Sequence, residues 1–309
     1  MASYRILSLD GGGIRGLLTS ILLARLEAAH PGVVAQTDLI AGTSIGGIMA
    51  LMLAAGFSAA EVTQGLEMSG TAVFTTSGAN ADNKPGETAA LYANDTLKSS
   101  LEMIFGERTL ADLPKKVLIA AFDLDSKAQG GLGSFRTWKP KFFHNFPGSG
   151  SDGQEKLVDI GLRTSAAPIY FPIYQGYVDG GVVAKNPAMC ALAQAIDVET
   201  GGQSLADTVM LSIGTGQNAN FLALDESDDG SWGIQQWSQD TRLLNVTWGN
   251  DDKLVDYQCG RFLGERYHRI DTVLSENVHL DVFAQLRRLV AVARQEDLTE
   301  SEAWLARWF

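Results

Sequence analysis

The sequence predicts an α/β fold, a largely parallel central sheet with helices on both faces. Two observations predict it. Short apolar runs that end in glycine-rich turns alternate with segments of helical apolar spacing, and this strand-then-helix order repeats along the chain. The composition agrees with a packed globule: 309 residues, 45% hydrophobic, 19% charged and 33 glycines. A chain of this length buries about 75% of the surface that its unfolded form exposes, so it needs no disulfide or metal staple.

The elements follow in order. Tyr4 to Leu9 reads as a buried strand that stops at the glycine-rich Asp10-Gly11-Gly12-Gly13-Ile14-Arg15-Gly16. From Leu17 to Ala29, Leu18, Ile21, Leu22 and Leu26 recur at helical spacing, and Pro31-Gly32 finishes the helix. Leu39 to Ala41 is a second strand, Gly42 to Gly47 its turn, and Ile45, Ile48, Met49, Met52 and Leu53 mark one face of the next helix. Helices are expected near Glu61 to Met68, Asp95 to Phe105, Glu155 to Thr164 and Pro187 to Val198. Strands are expected at Val117 to Phe122 and Val209 to Ile213, with paired strands around Ile173 to Val183. Phe74 to Thr88 and the acidic Leu224 to Ser231 read as surface loops, the second lacking the spacing of a calcium loop. After Trp232 the chain turns helical, with Phe283, Leu286 and Val290 on one face and Arg287, Arg288 and Arg294 toward solvent. With no repeat and no linker, residues 1–309 are expected to form a single domain.

Charge narrows the partners. The 24 Lys and Arg against 36 Asp and Glu give a formal charge of −12, which argues against a nucleic-acid polymer gripped through its phosphates. It also disfavours adsorption to an anionic membrane by charge alone, leaving transient contact through an apolar rim. The cysteines, Cys190 and Cys259, form no CxxC pair. The N-terminal residues lack the pattern of a signal peptide, so the expected location is cytoplasmic. Leu39 to Ala60 carries no formal charge over 22 residues, but its Thr, Ser and glycines suit a strand, turn and helix better than a membrane span.

The most informative residues are Gly42-Thr43-Ser44-Ile45-Gly46, a G-x-S-x-G sequence between an apolar strand and an amphipathic helix. Small neighbours suit a sharp turn that presents Ser44, and the following helix N-terminus favours negative charge developing beside it. Ser44 is therefore a candidate nucleophile. An attacked acyl carbon generates an oxyanion, and backbone amides of Gly11, Gly12 and Gly13 are candidates to hold it. The same loop satisfies G-x-G-x-x-G, yet no acidic residue follows at the distance that a dinucleotide ribose needs. Four histidines occur, His30, His144, His268 and His279, none in a context like that of Ser44. Asp179 is, within Gly176-Tyr177-Val178-Asp179-Gly180-Gly181-Val182, though Asp-Gly is also a strong hairpin signal, and on the residues alone the turn reading comes first.

Four ordered blocks resolve this by resemblance. LSLDGGGIRG at 7–16, IAGTSIGG at 40–47, TSAAPIYF at 164–171 and DGGVVAKNPA at 179–188 resemble the signature blocks of the patatin-like phospholipases, across roughly residues 4–200. The resemblance implies a patatin-like three-layer sandwich and a Ser-Asp dyad, with Ser44 as nucleophile and Asp179 as general base. It implies an oxyanion hole at Gly11 to Gly13 with Arg15 beside it, and structural glycines at Gly42, Gly46, Gly180 and Gly181. No metal or cofactor is implied. Lys185-Asn186 departs from the pair of asparagines usual in the family, and the segment from about 224 to 309 matches no block.

The implied function is a phospholipase A-type acyl hydrolase acting on phospholipid through an acyl-serine. An acyltransferase or thioesterase on the same fold, and a low-activity storage protein, are the alternatives. Some bacterial members are antiphage effectors switched on by a cyclic nucleotide, and this acidic chain is compatible with such an activator. Ser165-Ala166-Ala167-Pro168 with Ile169, Tyr170 and Phe171 could line an acyl channel, but core packing is the default for them, as for Met49, Met52, Phe142 and Phe143.

Overall fold

A computed structural model describes residues 4–74, 84, 86–127, 136–148, 150–224, 229–239, 242–248, 251–274, 278–279, 281 and 285–309. The first half alternates as the sequence predicts: β1 (Tyr4–Leu9), α1 (Gly16–Ala29), β2 (Leu39–Thr43), α2 (Ile45–Ala54), α3 (Ala59–Val73), α4 (Asp95–Phe105) and β3 (Lys116–Asp123). Then come β4 (Lys139–His144), α5 (Leu157–Thr164), β5 (Tyr177–Asp179), α6 (Ala188–Ile196) and β6 (Thr208–Ile213). The final third holds α7 (Ile234–Ser238), α8 (Arg242–Trp248), α9 (Asp251–Leu263), β7 (Tyr267–Ile270), α10 (Leu286–Gln295) and α11 (Thr299–Trp308).

Seven strands form one sheet in the order β4-β3-β2-β1-β6-β7, with β5 also on β3. The pairs β3-β2, β2-β1, β1-β6 and β6-β7 are parallel, while β4 and β5 run antiparallel to β3. Alternate residues of each strand serve opposite faces, as the two-residue period requires. Leu7, Leu9, Ile40, Val117, Ile119 and Leu211 face a core with α1, α2, α3, α4, α5 and α10. Ile6, Leu39, Ala41, Leu118 and Met210 face the other, closed by Ala188, Ala191 and Leu192 of α6 and by Val255 and Cys259 of α9. The result is the expected three-layer sandwich, with each fully buried aliphatic side chain contributing about 1.5–3 kcal/mol.

Several local expectations shift. The helix foreseen near Glu61 to Met68 extends from Ala59 to Val73, because Ser58 and Glu61 form a reciprocal capping box ahead of it. The helix near Glu155 to Thr164 begins at Leu157. The paired strands around Ile173 to Val183 reduce to β5, which pairs with β3, and to a tight turn closed by Tyr174 and Tyr177. β4 and β7 lie where no strand was expected, each on an outer side of the sheet. In α10, Leu286 and Val290 pack on the core while Arg287, Arg288 and Arg294 are exposed, as foreseen. Residues 75–83 and 85 of the first expected loop, Asp225, Glu226 and Asp228 of the acidic one, and Phe283 lie outside the described residues. The uncharged stretch from Leu39 contains β2 and α2, and among the described residues no helix is long and apolar enough to cross a membrane.

Two glycines permit the turn between β2 and α2. A Cβ on Gly42 would strike the Gly46 carbonyl, and one on Gly46 would strike the Leu9 carbonyl at the end of β1. Both clashes are with backbone, which cannot rotate away. Gly46→Ala is expected to destabilise the fold by about 3 kcal/mol, measured by urea unfolding; a change under about 1 kcal/mol would mean that the turn and β1 separate easily.

Candidate active site

The carboxyl edge of the sheet brings the predicted residues together. β2 ends at Thr43, opposite Ala120 of β3, and the next residue is Ser44. β5 takes up the same strand one residue further on, with Asp179 opposite Ala121. Ser44 and Asp179 thus follow each other along one flank of β3 although they stand 135 positions apart in sequence. The Ser44 hydroxyl adjoins the Asp179 carboxyl and acts to lower its pKa.

Ser44 sits at φ 55° and ψ −125°, a backbone conformation that non-glycine residues rarely adopt. Its amide donates to Thr164 Oγ1 at 2.8 Å, and that hydroxyl donates to the Ala120 carbonyl at 2.6 Å. Thr164 therefore ties the strained turn to β3, along whose flank Ser44 and Asp179 both lie. On the other side, the Thr43 hydroxyl donates to the Ala184 carbonyl at 2.6 Å.

Asp179 is buried, its amide donating to the Ala166 carbonyl at 2.9 Å. The Gly181 amide donates to Asp179 Oδ1 at 2.7 Å, so the carboxylate caps the 3-10 turn Gly180–Val182 rather than closing a hairpin. Gly180 packs so closely on the Ala120 carbonyl that a Cβ would clash. Burial pushes the Asp179 carboxyl up to about 6, against the Ser44 hydroxyl and the Gly181 amide that hold it lower.

The glycine loop lies beside this pair, but its three residues are not equivalent. The Gly11 amide donates to the Lys185 carbonyl at 2.9 Å, and the Gly11 carbonyl accepts from Thr215 Oγ1 at 3.0 Å. The amides of Gly12 and Gly13 have no protein acceptor among the described residues. Gly13 adopts φ 58°, which turns the chain into the short helix that follows. Arg15 is buried, with Nη1 donating to the Gly216 carbonyl at 3.1 Å and Nε without a hydrogen-bond partner among the described residues. Burial pulls the Arg15 pKa down, and Asp271, Asp252 and Asp10 oppose that shift.

A cavity of about 760 Å³ opens at Ser44 and Asp179 and is also lined by Gly11 to Gly13 and Arg15. Its far walls are apolar, with Met52, Leu66, Phe74, Leu97 and Ile104 among them. Ser165, Ala167, Tyr170 and Phe171 line it too, so part of that block is channel wall where plain core was the default. Met52 faces the cavity, whereas Met49 and Phe143 are core. His279 lines the cavity, but among the described residues no histidine hydrogen-bonds Ser44 or Asp179. No cluster of three or more His, Cys, Asp or Glu among the described residues is arranged around a metal-sized site. Sequence reasoning named every residue of the pair and loop but missed Thr164 as the support of Ser44; a threonine ending an amphipathic helix inside a matched block was the available signal.

Comparison with known proteins agrees with this geometry. The patatin-like phospholipase family model matches residues 7–192. The chain is 34% identical over 253 residues to Protein teg of Priestia megaterium, covering 81% of this chain and 75% of that protein. It is 38% identical over 231 residues to a cGAMP-activated phospholipase of Escherichia coli, covering 68% of this chain and 62% of that one. It is 30% identical over 289 residues to a cGAMP-activated phospholipase of Pseudomonas aeruginosa, covering 91% and 82%. The chain is thus an enzyme of the lipid-hydrolysing esterase class. It belongs to the patatin-like phospholipase family.

Because the folded Asp179 binds its proton more tightly than an unfolded aspartate, stability falls as pH rises from about 4 to about 6 and stays lower above. Asp179→Asn removes that penalty. The variant is expected to exceed the wild type by on the order of 2 kcal/mol at pH 8, with the difference vanishing near pH 4, as read from denaturant unfolding at both pH values.

Proposed function

We propose that the chain hydrolyses fatty-acyl esters of phospholipids through Ser44 and Asp179. The observation that carries the reading is a strained serine beside a buried carboxylate at the polar end of an apolar cavity. Asp179 takes the Ser44 proton as Oγ attacks the ester carbonyl, and the amides of Gly12 and Gly13 receive the oxyanion. Collapse of the tetrahedral intermediate expels the lysolipid alkoxide, which takes the proton back from Asp179 and leaves an acyl-serine. Water, deprotonated by Asp179, then releases the fatty acid. Arg15, buried beside the loop, adds positive potential to the anionic steps, and the apolar walls receive the acyl chain.

Contact with the lipid surface is part of the same reading. Phe221, Leu222 and Val246 line the cavity and yet are 81%, 44% and 38% exposed, which puts apolar side chains at its mouth. A lipid whose ester reaches Ser44 keeps the rest of its body in the bilayer, so this rim is where the two surfaces meet. With a formal charge of −12, transient docking proceeds by apolar insertion rather than by attraction to anionic headgroups. A cyclic-nucleotide activator is also proposed, supported by relatives of 30–38% identity that are named cGAMP-activated phospholipases.

Fatty-acid release from phosphatidylcholine vesicles, followed by mass spectrometry with and without cGAMP, tests the whole reading. Ser44→Ala and Asp179→Asn are each expected to lower release at least 1,000-fold, by the magnitudes usual for such groups. Since Asp179 acts as carboxylate, kcat/KM is expected to fall as pH drops through about 6. Full activity in either variant would remove the dyad, and transfer of the acyl group to an added alcohol instead of water would make the chain an acyltransferase.

Phe221→Ser is expected to slow vesicle turnover about tenfold while leaving hydrolysis of a dissolved short-chain ester within twofold. Equal loss on both substrates would assign Phe221 to the cavity and not to the lipid surface.

A further inference from the structure

Arg269 on β7 lies outside the family match at 7–192, in the segment that matches no signature block. Its guanidinium donates to both carboxylate oxygens of Asp10, at 3.0 and 2.6 Å, to Ser212 Oγ at 2.7 Å and to Asp271 Oδ2 at 3.0 Å. Asp10 is 1% exposed and immediately precedes the glycine loop. Asp271 extends the contact: its Oδ1 accepts from the Gly216 amide at 3.0 Å, and the Gly216 carbonyl accepts from Arg15 at 3.1 Å. One guanidinium therefore fixes Asp10 at the start of the loop directly and Arg15 at its end through two links.

A buried ion pair contributes little net stability compared with apolar packing, because desolvating both charges offsets their attraction. What a bidentate arginine supplies is geometry, since its planar fork admits one orientation of the carboxylate. Amides that stabilise an oxyanion need that kind of support, because small displacements weaken them strongly in the transition state.

We propose that Arg269 is a positioning residue for the Gly12 and Gly13 amides, acting through Asp10 and, by way of Asp271 and Gly216, through Arg15. The inference rests on the Ser44-Asp179 reading. Arg269 is not among the residues that line the cavity, so its contribution appears in the transition state and not in substrate binding.

Arg269→Lys keeps the charge and loses the fork. Arg269→Gln combined with Asp10→Asn removes both charges of the bidentate pair, so Asp10 is not left as an unpaired buried ion if the single change unfolds, while Asp271 keeps the Gly216 amide. Vesicle hydrolysis and the rate at which an alkyl fluorophosphonate labels Ser44 are measured for both, with melting temperature as the control for folding. Both variants are expected to lose 10- to 100-fold in kcat with KM within twofold, and to lose the same factor in labelling, since the phosphonyl oxygen occupies the oxyanion position. Folded variants with wild-type kcat and labelling, or with a raised KM alone, would overturn the positioning role while leaving the dyad intact. A wild-type chain that hydrolyses lipid but does not label at Ser44 would overturn the dyad reading, and the positioning role with it.

Discussion

The site depends on how β3 divides one of its flanks between two partners. β2 occupies that flank up to Ala120, and β5, running the opposite way, takes it from Ala121 onward. A strand that simply ran on would leave Ser44 facing its own continuation. Because β2 stops and a short antiparallel strand substitutes for it, two residues distant in sequence become neighbours along a hydrogen-bonded ladder. Ala120 is the pivot: it pairs with Thr43, its carbonyl accepts from Thr164, and Gly180 packs against the same carbonyl. Ladder hydrogen bonds hold this arrangement more rigidly than a surface loop could.

Burial then gives two carboxylates on the same edge different characters. Asp10 and Asp179 are both pushed up to about 6 by desolvation. Asp10 has a cation against it, Arg269, which opposes the shift and makes charge separation a structural clamp. Asp179 has no ion-pair partner among the described residues, and the groups that lower its pKa, the Ser44 hydroxyl and the Gly181 amide, are neutral. A carboxylate that lacks a counterion in a dry site gains most by accepting a proton, which is the property required of a base. The difference lies in the neighbours, since Asp179 ends a strand, Asp10 directly follows one, and both precede glycines.

Much of this was legible in the sequence where local chemistry is self-contained. The turn around Ser44 announced itself because the steric demand falls on residues within four positions of one another, and Gly42 and Gly46 meet that demand. Asp179 was only half legible. The dipeptide Asp-Gly is equally suited to a hairpin, and what excludes the hairpin is pairing with β3, a long-range contact that leaves no local mark. The resemblance to a family favoured the base reading where residue chemistry alone favoured the turn. The loop also hid a distinction, for three consecutive glycines look alike until Lys185 places its carbonyl against the amide of the first. That contact uses backbone alone, so the Lys185 departure leaves it in place.

The final third was the least legible part because its work is indirect. Lys185 pairs with Asp252 of α9 at 2.8 Å, and Arg269 and Asp271 adjoin the strand end that carries Asp10. None of these residues forms a motif, since each acts through a partner more than 50 positions away. Their common effect is directional: α9 reaches the loop through Lys185 and Gly11, β7 through Asp10 and Arg15. A segment that touches the loop only at its ends leaves the middle amides of Gly12 and Gly13 open to a ligand while fixing where they point. By contrast, the Ser44 amide is held by Thr164 at the end of α5, on the far side of the sheet edge from α9 and β7.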